Sequence, residues 1–251
     1  MANSINTNAG ALVALQNLNQ TSRDLSITQN RVNTGQKISS AKDNGAIFAI
    51  ATSQRAEMGA QDAVKQSLQR GQSIVDVALA AGETVTNALN ELKSLAVAIQ
   101  DDAGGATAFT DNGKKLAADF DAIVKEIHTS LAGAKFDGVN LFDATGATGK
   151  IEVSTNTSGG KFELKGNNGA AAGAGLVFGG TVAAGVWTAA GTEGAKKTAY
   201  TAANVETAIN GFATVLADLG TKSKSLDRQL TFTSKMQDAL EVGIGNLVDA
   251  D

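Results

Sequence analysis

Two stretches of this chain place an apolar or small residue at alternating steps of four and three, and that rhythm settles most of what it can fold into. The first runs Val64, Leu68, Gly71, Val75, Ala78, Gly82, Val85, Leu89, Leu92, Ala96, Ile99. The second runs Val205, Ile209, Phe212, Leu216, Leu219, Ser223, Leu226, Leu230, Thr233, Gln237, Leu240, Ile244, Leu247. Seams held in phase for about five or six heptads mark helices that supercoil against one another. At 1.5 Å per residue, Gly45 to Gln100 would form a rod about 80 Å long. Two such helices bury their seams by running antiparallel, with a third helix alongside. The small seam residues Gly71, Ala78, Gly82 and Ala96 allow close helix approach.

The third helix is expected after the break at Asp101-Asp102-Ala103-Gly104-Gly105, with Thr110 or Asp111 as its N-cap. Its stripe is Leu116, Phe120, Ile123, Ile127 and Leu131, and Phe136-Asp137-Gly138-Val139 then makes a turn, because Asp-Gly favours positive φ. The bundle core is predicted from Val64, Leu68, Val75, Leu89, Leu92, Leu116, Phe120, Ile123, Leu216, Leu226, Leu230 and Leu240. Residues 144–200 break the pattern. Gly and Thr rise there, and short alternating runs appear at Ile151-Glu152-Val153, Phe162-Glu163-Leu164 and Val186-Trp187-Thr188. They read as a small β-rich insert, loosely specified in register and belonging on a surface, with the low-complexity piece Gly166 to Gly185 inside it. The fold class is therefore mainly α: an elongated antiparallel helical bundle or coiled coil carrying a small β-rich insert.

A shorter seam precedes these: Ala11, Leu15, Leu18, Ser22, Leu25, Gln29 and Val32, ending at Asn33-Thr34-Gly35. Leu12, Leu15, Leu18, Leu25 and Val32 have no partner helix within the chain. An unpacked helix of this length is marginal in water. The segment is thus expected to be disordered in a lone subunit and to order only against other chains. The helical rhythm is still running at Asp251, which reads as a chain that stops within a live seam.

Composition narrows the function. The 251 residues include no Cys, no Pro and one His. Thiol catalysis, Cys-based metal sites and any multi-His site are excluded, and no cofactor is expected. His128 lies beside the stripe residue Ile127, without a nucleophile elbow, and reads as a packing or surface residue. Gly173 to Gly179 only superficially resembles a dinucleotide loop, and Gly146 to Ile151 fails the spacing of a phosphate loop. A net charge of −4 leaves no basic footprint for nucleic acid. No run approaches the roughly 18 apolar residues of a membrane span, and residues 1–20 lack the pattern of a cleavable signal. Thr181, Thr188 and Thr192 are candidate acceptors of O-linked sugars if exposed. Structural work, not chemistry, is what remains.

Specific motifs carry a resemblance. Ser4-Ile5-Asn6-Thr7-Asn8, Leu15-Gln16-Asn17-Leu18 and the run from Arg31 to Ala46 resemble the start of a bacterial flagellin. So do Ser67 to Ile74, Phe136-Asp137-Gly138-Val139-Asn140-Leu141 and the closing Asn246-Leu247-Val248-Asp249-Ala250-Asp251. The short middle insert resembles the compact alphaproteobacterial members. The resemblance implies a subunit that self-assembles into the flagellar filament, not an enzyme. The hook–filament junction protein is the alternative. It implies a homopolymer outside the cell, reached through the flagellar type III export apparatus with an export chaperone, and meeting filament cap and hook-junction proteins. It divides the chain into 1–44 (inner core helix and connecting loop), 45–143 and 201–251 (helical shell), and 144–200 (exposed insert). The family's C-terminal core helix is missing from this sequence. The Arg31 to Ala46 loop matches the family's hinge between inner and outer shells. Arg31, Gly35, Ile38 and Asp43 accordingly join Leu12, Leu15, Leu18, Leu25 and Val32 as expected subunit-interface residues.

Overall fold

A computed structural model of the chain describes residues 8–142, 150–165, 175–183 and 186–250. The elements are helices α1 (Ala9–Thr34), α2 (Gly45–Gln100) and α3 (Asp111–Gly133), strands β1 (Lys150–Ser154), β2 (Lys161–Lys165), β3 (Thr181–Ala183) and β4 (Val186–Thr188), and helices α4 (Glu193–Ala199) and α5 (Ala202–Val248). The fold is mainly α with a small β insert. It divides into two compact units, Ala63–Thr233 and Met1–Asp62 with Ser234–Asp251.

In the larger unit every α2 seam position from Val64 to Ile99 is buried. Contacts to α5 run in opposite order along the two helices. Gln100 Oε1 accepts from Ala202 N–H, Lys93 Nζ meets Glu206, Gly82 lies under the Leu216 side chain, and Gln72 Nε2 donates to Ser223. The helices are therefore antiparallel, and at Gly82 the missing Cβ is what lets Leu216 in. On α3, Phe120, Ile127 and Leu131 are buried together with Ala117 and Val124, while Leu116 and Ile123 are only partly buried against the core. Leu216 and Leu230 are likewise partly buried against it, and Leu226 is buried.

The insert is more firmly packed than the loosely specified piece expected. Val153, Leu164, Leu176, Phe178, Trp187 and Tyr200 join the same core cluster as α2, α3 and α5. Register is definite: Ile151 pairs with Leu164 and Val153 with Phe162, so all four apolar side chains share one face of the β1–β2 hairpin. That face lies on α2, where a Cβ at Gly71 would come 2.7 Å from Val153 Cγ2. Gly71 thus admits a strand, not a second helix. The β3–β4 hairpin pairs Val182 with Trp187, whose indole N–H donates to the Val177 carbonyl at 2.8 Å. Thr181 and Thr188 face each other on its exposed side, whereas the Thr192 hydroxyl is engaged as the N-cap of α4. Gly166–Ala174 and Ala184–Gly185, the bulk of the low-complexity piece, fall outside the described residues, as does the 144–149 start of the insert.

Helix α4 straps the insert to the loop before α3. Glu193 accepts from the Phe109 backbone N–H, Lys197 bridges to Asp102 and the Gly105 carbonyl, and Lys196 pairs with Asp121. Asp102 is held down to about 2, chiefly by the Thr110 hydroxyl. Asp121 also accepts from the Tyr200 hydroxyl, whose own pKa burial pushes up.

His128 is a core residue, 2% exposed, with Nε2 3.0 Å from the Leu176 carbonyl and its ring stacked on Trp187. A carbonyl only accepts, so Nε2 carries the proton. Burial lowers the imidazole pKa, and the bond to Leu176 opposes this. With a native value below the unfolded 6.5, the unfolded chain takes up the proton first as pH falls. Stability present above pH 6.5 is therefore expected to decline as pH drops through the native value. The melting temperature at pH 5 should lie a few degrees below that at pH 7.5, and His128→Gln, which can still donate to Leu176, should flatten the slope. An unchanged slope in that variant would assign the effect to other groups.

In the smaller unit α2 and α5 are again antiparallel: Gln61 reaches Met236, Gln237 donates to Asp62, and Ala51 packs with Ile244 and Val248. Leu240 is only half-buried there. Helix α1 belongs to this unit. It is a helix from Ala9 to Thr34, not the disordered segment expected of a lone subunit, and none of its residues is buried. Its caps account for the helical form. Asn8 accepts from Ala11 N–H at 3.2 Å, and Gly35 closes the other end at φ 67° with its N–H on the Arg31 carbonyl.

Candidate assembly interface

The interface residues expected from the sequence fall into two groups. Leu12, Leu15, Leu18, Leu25 and Val32 lie on α1, and Val13 and Ile27 are exposed on its other side. All are exposed, from 44% at Ile27 to 77% at Val32. Thr21, Thr28 and Thr34 donate to carbonyls one turn back in the same helix, so these hydroxyls are satisfied locally. Exposed apolar residues in such number are uncommon on a surface that faces only water.

Arg31, Gly35, Ile38 and Asp43 lie at the end of α1 and in the elbow that follows. Arg31 is exposed, and its carbonyl receives the Gly35 N–H. Ile38 is buried, unlike the α1 residues. The backbone around it pairs with the end of α5: Lys37 and Ile38 N–H both reach the Val248 carbonyl, at 2.7 and 3.3 Å, and Ala250 N–H reaches the Gly35 carbonyl at 3.1 Å. Gln36 and Asp249 sit opposite each other in that bridge. Asp43 has work inside the chain. Its Oδ2 accepts from the backbone N–H and the hydroxyl of both Ser39 and Ser40, which holds its carboxyl below the usual range, the Ser40 N–H most of all. Asn44 then accepts from Ala46 and Ile47 N–H and starts α2.

Sequence reasoning missed the pairing of the elbow with Val248 and Ala250, because no local pattern marks contacts between segments so far apart in the chain. The Ser39-Ser40 and Asp43 spacing was a readable signal for a side-chain-closed turn. Nothing at these residues resembles a reaction centre. Among the described residues no cluster of His, Asp or Glu could hold a metal ion, and no helix is long and apolar enough to cross a membrane. A shallow depression lined by Gly175, Val177, Phe178, Gly179, Asn204 and Thr207 has no titratable side chain.

Residues 5–147 match the family model of the bacterial flagellin N-terminal helical region, which is more than half the chain. The chain is also 45% identical to Flagellin FljK of Caulobacter vibrioides over 99% of its own length and 85% of that protein's. It belongs to the bacterial flagellins. A flagellin of Brucella melitensis biotype 1 is 35% identical to it, over 99% of this chain and 86% of the relative. The crystal structure of Bacillus cereus flagellin superposes with a TM-score of 0.51 at 20% identity, covering 66% of this chain and 88% of that one, a likeness of fold alone. This flagellin is thus a structural subunit of the flagellar filament, polymerising with other flagellin subunits, and not an enzyme. The similarity favours the filament subunit over the hook–filament junction protein.

Proposed function

We propose that α1 is the element through which this flagellin joins its neighbours, with Leu12, Leu15, Leu18, Leu25 and Val32 as the buried face of the contact and Arg31, Gly35, Ile38 and Asp43 shaping its base. The observation that carries this is a helix of 26 residues, capped at both ends, without one buried side chain. Burying a Leu or Val is worth about 1.5–3 kcal/mol, so five such residues offer on the order of 10 kcal/mol that only another chain can collect. The two caps offset part of the cost of ordering a helix that is marginal on its own, and that cost comes out of the gain.

The same reading takes the chain out of the cell through the flagellar export apparatus with a chaperone, to be added beneath a cap on a filament joined to the hook by junction proteins. A sequence without Cys or Pro supports such a route. No disulfide has to be undone for an unfolded passage, and no slow prolyl isomerisation delays refolding at the far end.

Hydrogen exchange tests the central point. In the monomer, α1 amides should exchange nearly as fast as those of an isolated helix, while α2 seam amides from Val64 to Ile99 stay protected. In assembled filaments the α1 amides should slow by orders of magnitude. Strong protection of α1 in the monomer would overturn the reading.

A further inference from the structure

We infer that Met58 is a peroxide-sensitive modification site: its conversion to the sulfoxide loosens the α2–α5 pair of the smaller unit, whereas the same change at Met236 is tolerated. The sequence holds three Met and no Cys, so thioethers are the first groups a mild oxidant meets. Met1 lies outside the described residues, and the other two stand half-buried where α2 and α5 pair in that unit. In the reaction the sulfur gives an electron pair to one oxygen of hydrogen peroxide, the O–O bond breaks, and water leaves. Sulfur is oxidised by two electrons and the peroxide is reduced by two.

The two sulfurs have different surroundings. Met236 Sδ accepts from Gln61 Nε2 at 3.1 Å, and Gln61 is buried. A thioether sulfur is a weak acceptor and a sulfoxide oxygen a stronger one, so oxidation leaves that donor satisfied. Met58 instead packs against the cluster of Ala51, Ile244 and Val248. Its sulfoxide brings a polar oxygen to an apolar contact. Gln54, one turn before Met58 on the same face of α2, already buries an amide oxygen without a donor among the described residues. Three buried side chains also leave this cluster little packing to spare, unlike the core of the larger unit. The change reaches assembly through Val248. Its side chain belongs to the cluster beside Met58, and its carbonyl receives the Lys37 and Ile38 N–H that fasten the base of α1. This last step rests on α1 being the assembly helix.

The test treats full-length wild-type protein, Met58→Leu and Met236→Leu with hydrogen peroxide and locates the sulfoxides by peptide mass mapping. Leu keeps the volume of Met without the sulfur. In oxidised wild type, amides of 47–61 and 240–248 should exchange about tenfold faster while those of 64–99 hold, and the critical concentration should rise by a similar factor. Oxidised Met236→Leu should behave likewise, and oxidised Met58→Leu should match its untreated form. Reduction with both epimer-specific methionine sulfoxide reductases should restore the wild type. Complete oxidation of Met58 with unchanged exchange would overturn the inference, as would a Met58→Leu protein that is just as sensitive or a Met58 that peroxide leaves intact. Faster exchange at an unchanged critical concentration would overturn the link to assembly. Leu18→Asp, run beside these, separates that failure from one of α1, since its normal assembly would count against the helix itself.

Discussion

A protein carrying aspartate at both Leu15 and Leu18 is expected to fold as the wild type does and to form no filament. Both side chains are more than half exposed on a helix that buries nothing, so the monomer loses no packing when they change. Mutations on such a surface normally move stability by less than about 0.5 kcal/mol. In the assembled state the same positions would place two carboxylates in an apolar contact. Each loses about 1.5–3 kcal/mol of burial and adds the cost of desolvating a charge without a partner. A filament multiplies that penalty at every subunit. The expected readout is a monomer with unchanged melting temperature and circular dichroism, an absence of pelletable polymer at concentrations where wild type assembles, and non-motile cells when the variant is the sole flagellin. Filaments of ordinary length from the double variant would remove α1 from the interface. The control is a double change to aspartate at Asn17 and Gln20, polar neighbours in the same helix, which should assemble nearly normally.

The contrast between α1 and α2 shows how much the sequence reveals and where it stops. The α2 seam was legible position by position, because a heptad reports burial directly when the partner helix lies in the same chain. The α1 seam has the same period, and period alone does not say whether a partner is at hand; the expected disorder overlooked that Asn8 and Gly35 cap the helix whether or not it packs. The insert misled for a different reason. Its Gly- and Thr-rich composition is that of a loosely held surface piece, yet single well-placed residues (Val153, Leu164, Phe178, Trp187) seat one face of it on the helices. A composition average hides such anchors. Gly71 is the plainest instance: its place in the seam suggested helix on helix, whereas Val153 of the hairpin lies opposite it in the fold. The elbow lay between these cases. Its turn chemistry was readable, but its bonds to Val248 and Ala250 were not, because they join segments distant in the chain.

Phe120→Ala should be among the most damaging single changes in the larger unit. The ring is fully buried on α3, stacked on Tyr200 at 4.1 Å between centroids and met edge-on by Phe178 at 5.3 Å. Those two partners come from the insert side of the chain, so Phe120 is where helix and insert are joined. Truncation to Ala forfeits about 3–5 kcal/mol in burial and cavity terms, and the paired rings add about 0.5–1.5 kcal/mol each beyond their area. For a unit of this size that corresponds to a fall in melting temperature on the order of 10 °C. Loss should also spread beyond the cavity. Tyr200 carries the hydroxyl bound to Asp121, and Asp121 holds Lys196 of α4, so a tilted Tyr200 ring weakens the strap. Protease cleavage within residues 175–200 of the variant should therefore rise more than cleavage within α2. Phe136→Ala provides the comparison, since that ring is 38% exposed on the Asp137-Gly138 turn and should cost well under half as much. Equal destabilisation by the two variants would mean that the insert is not held through Phe120, and the surface-decoration view of residues 144–200 would regain its ground.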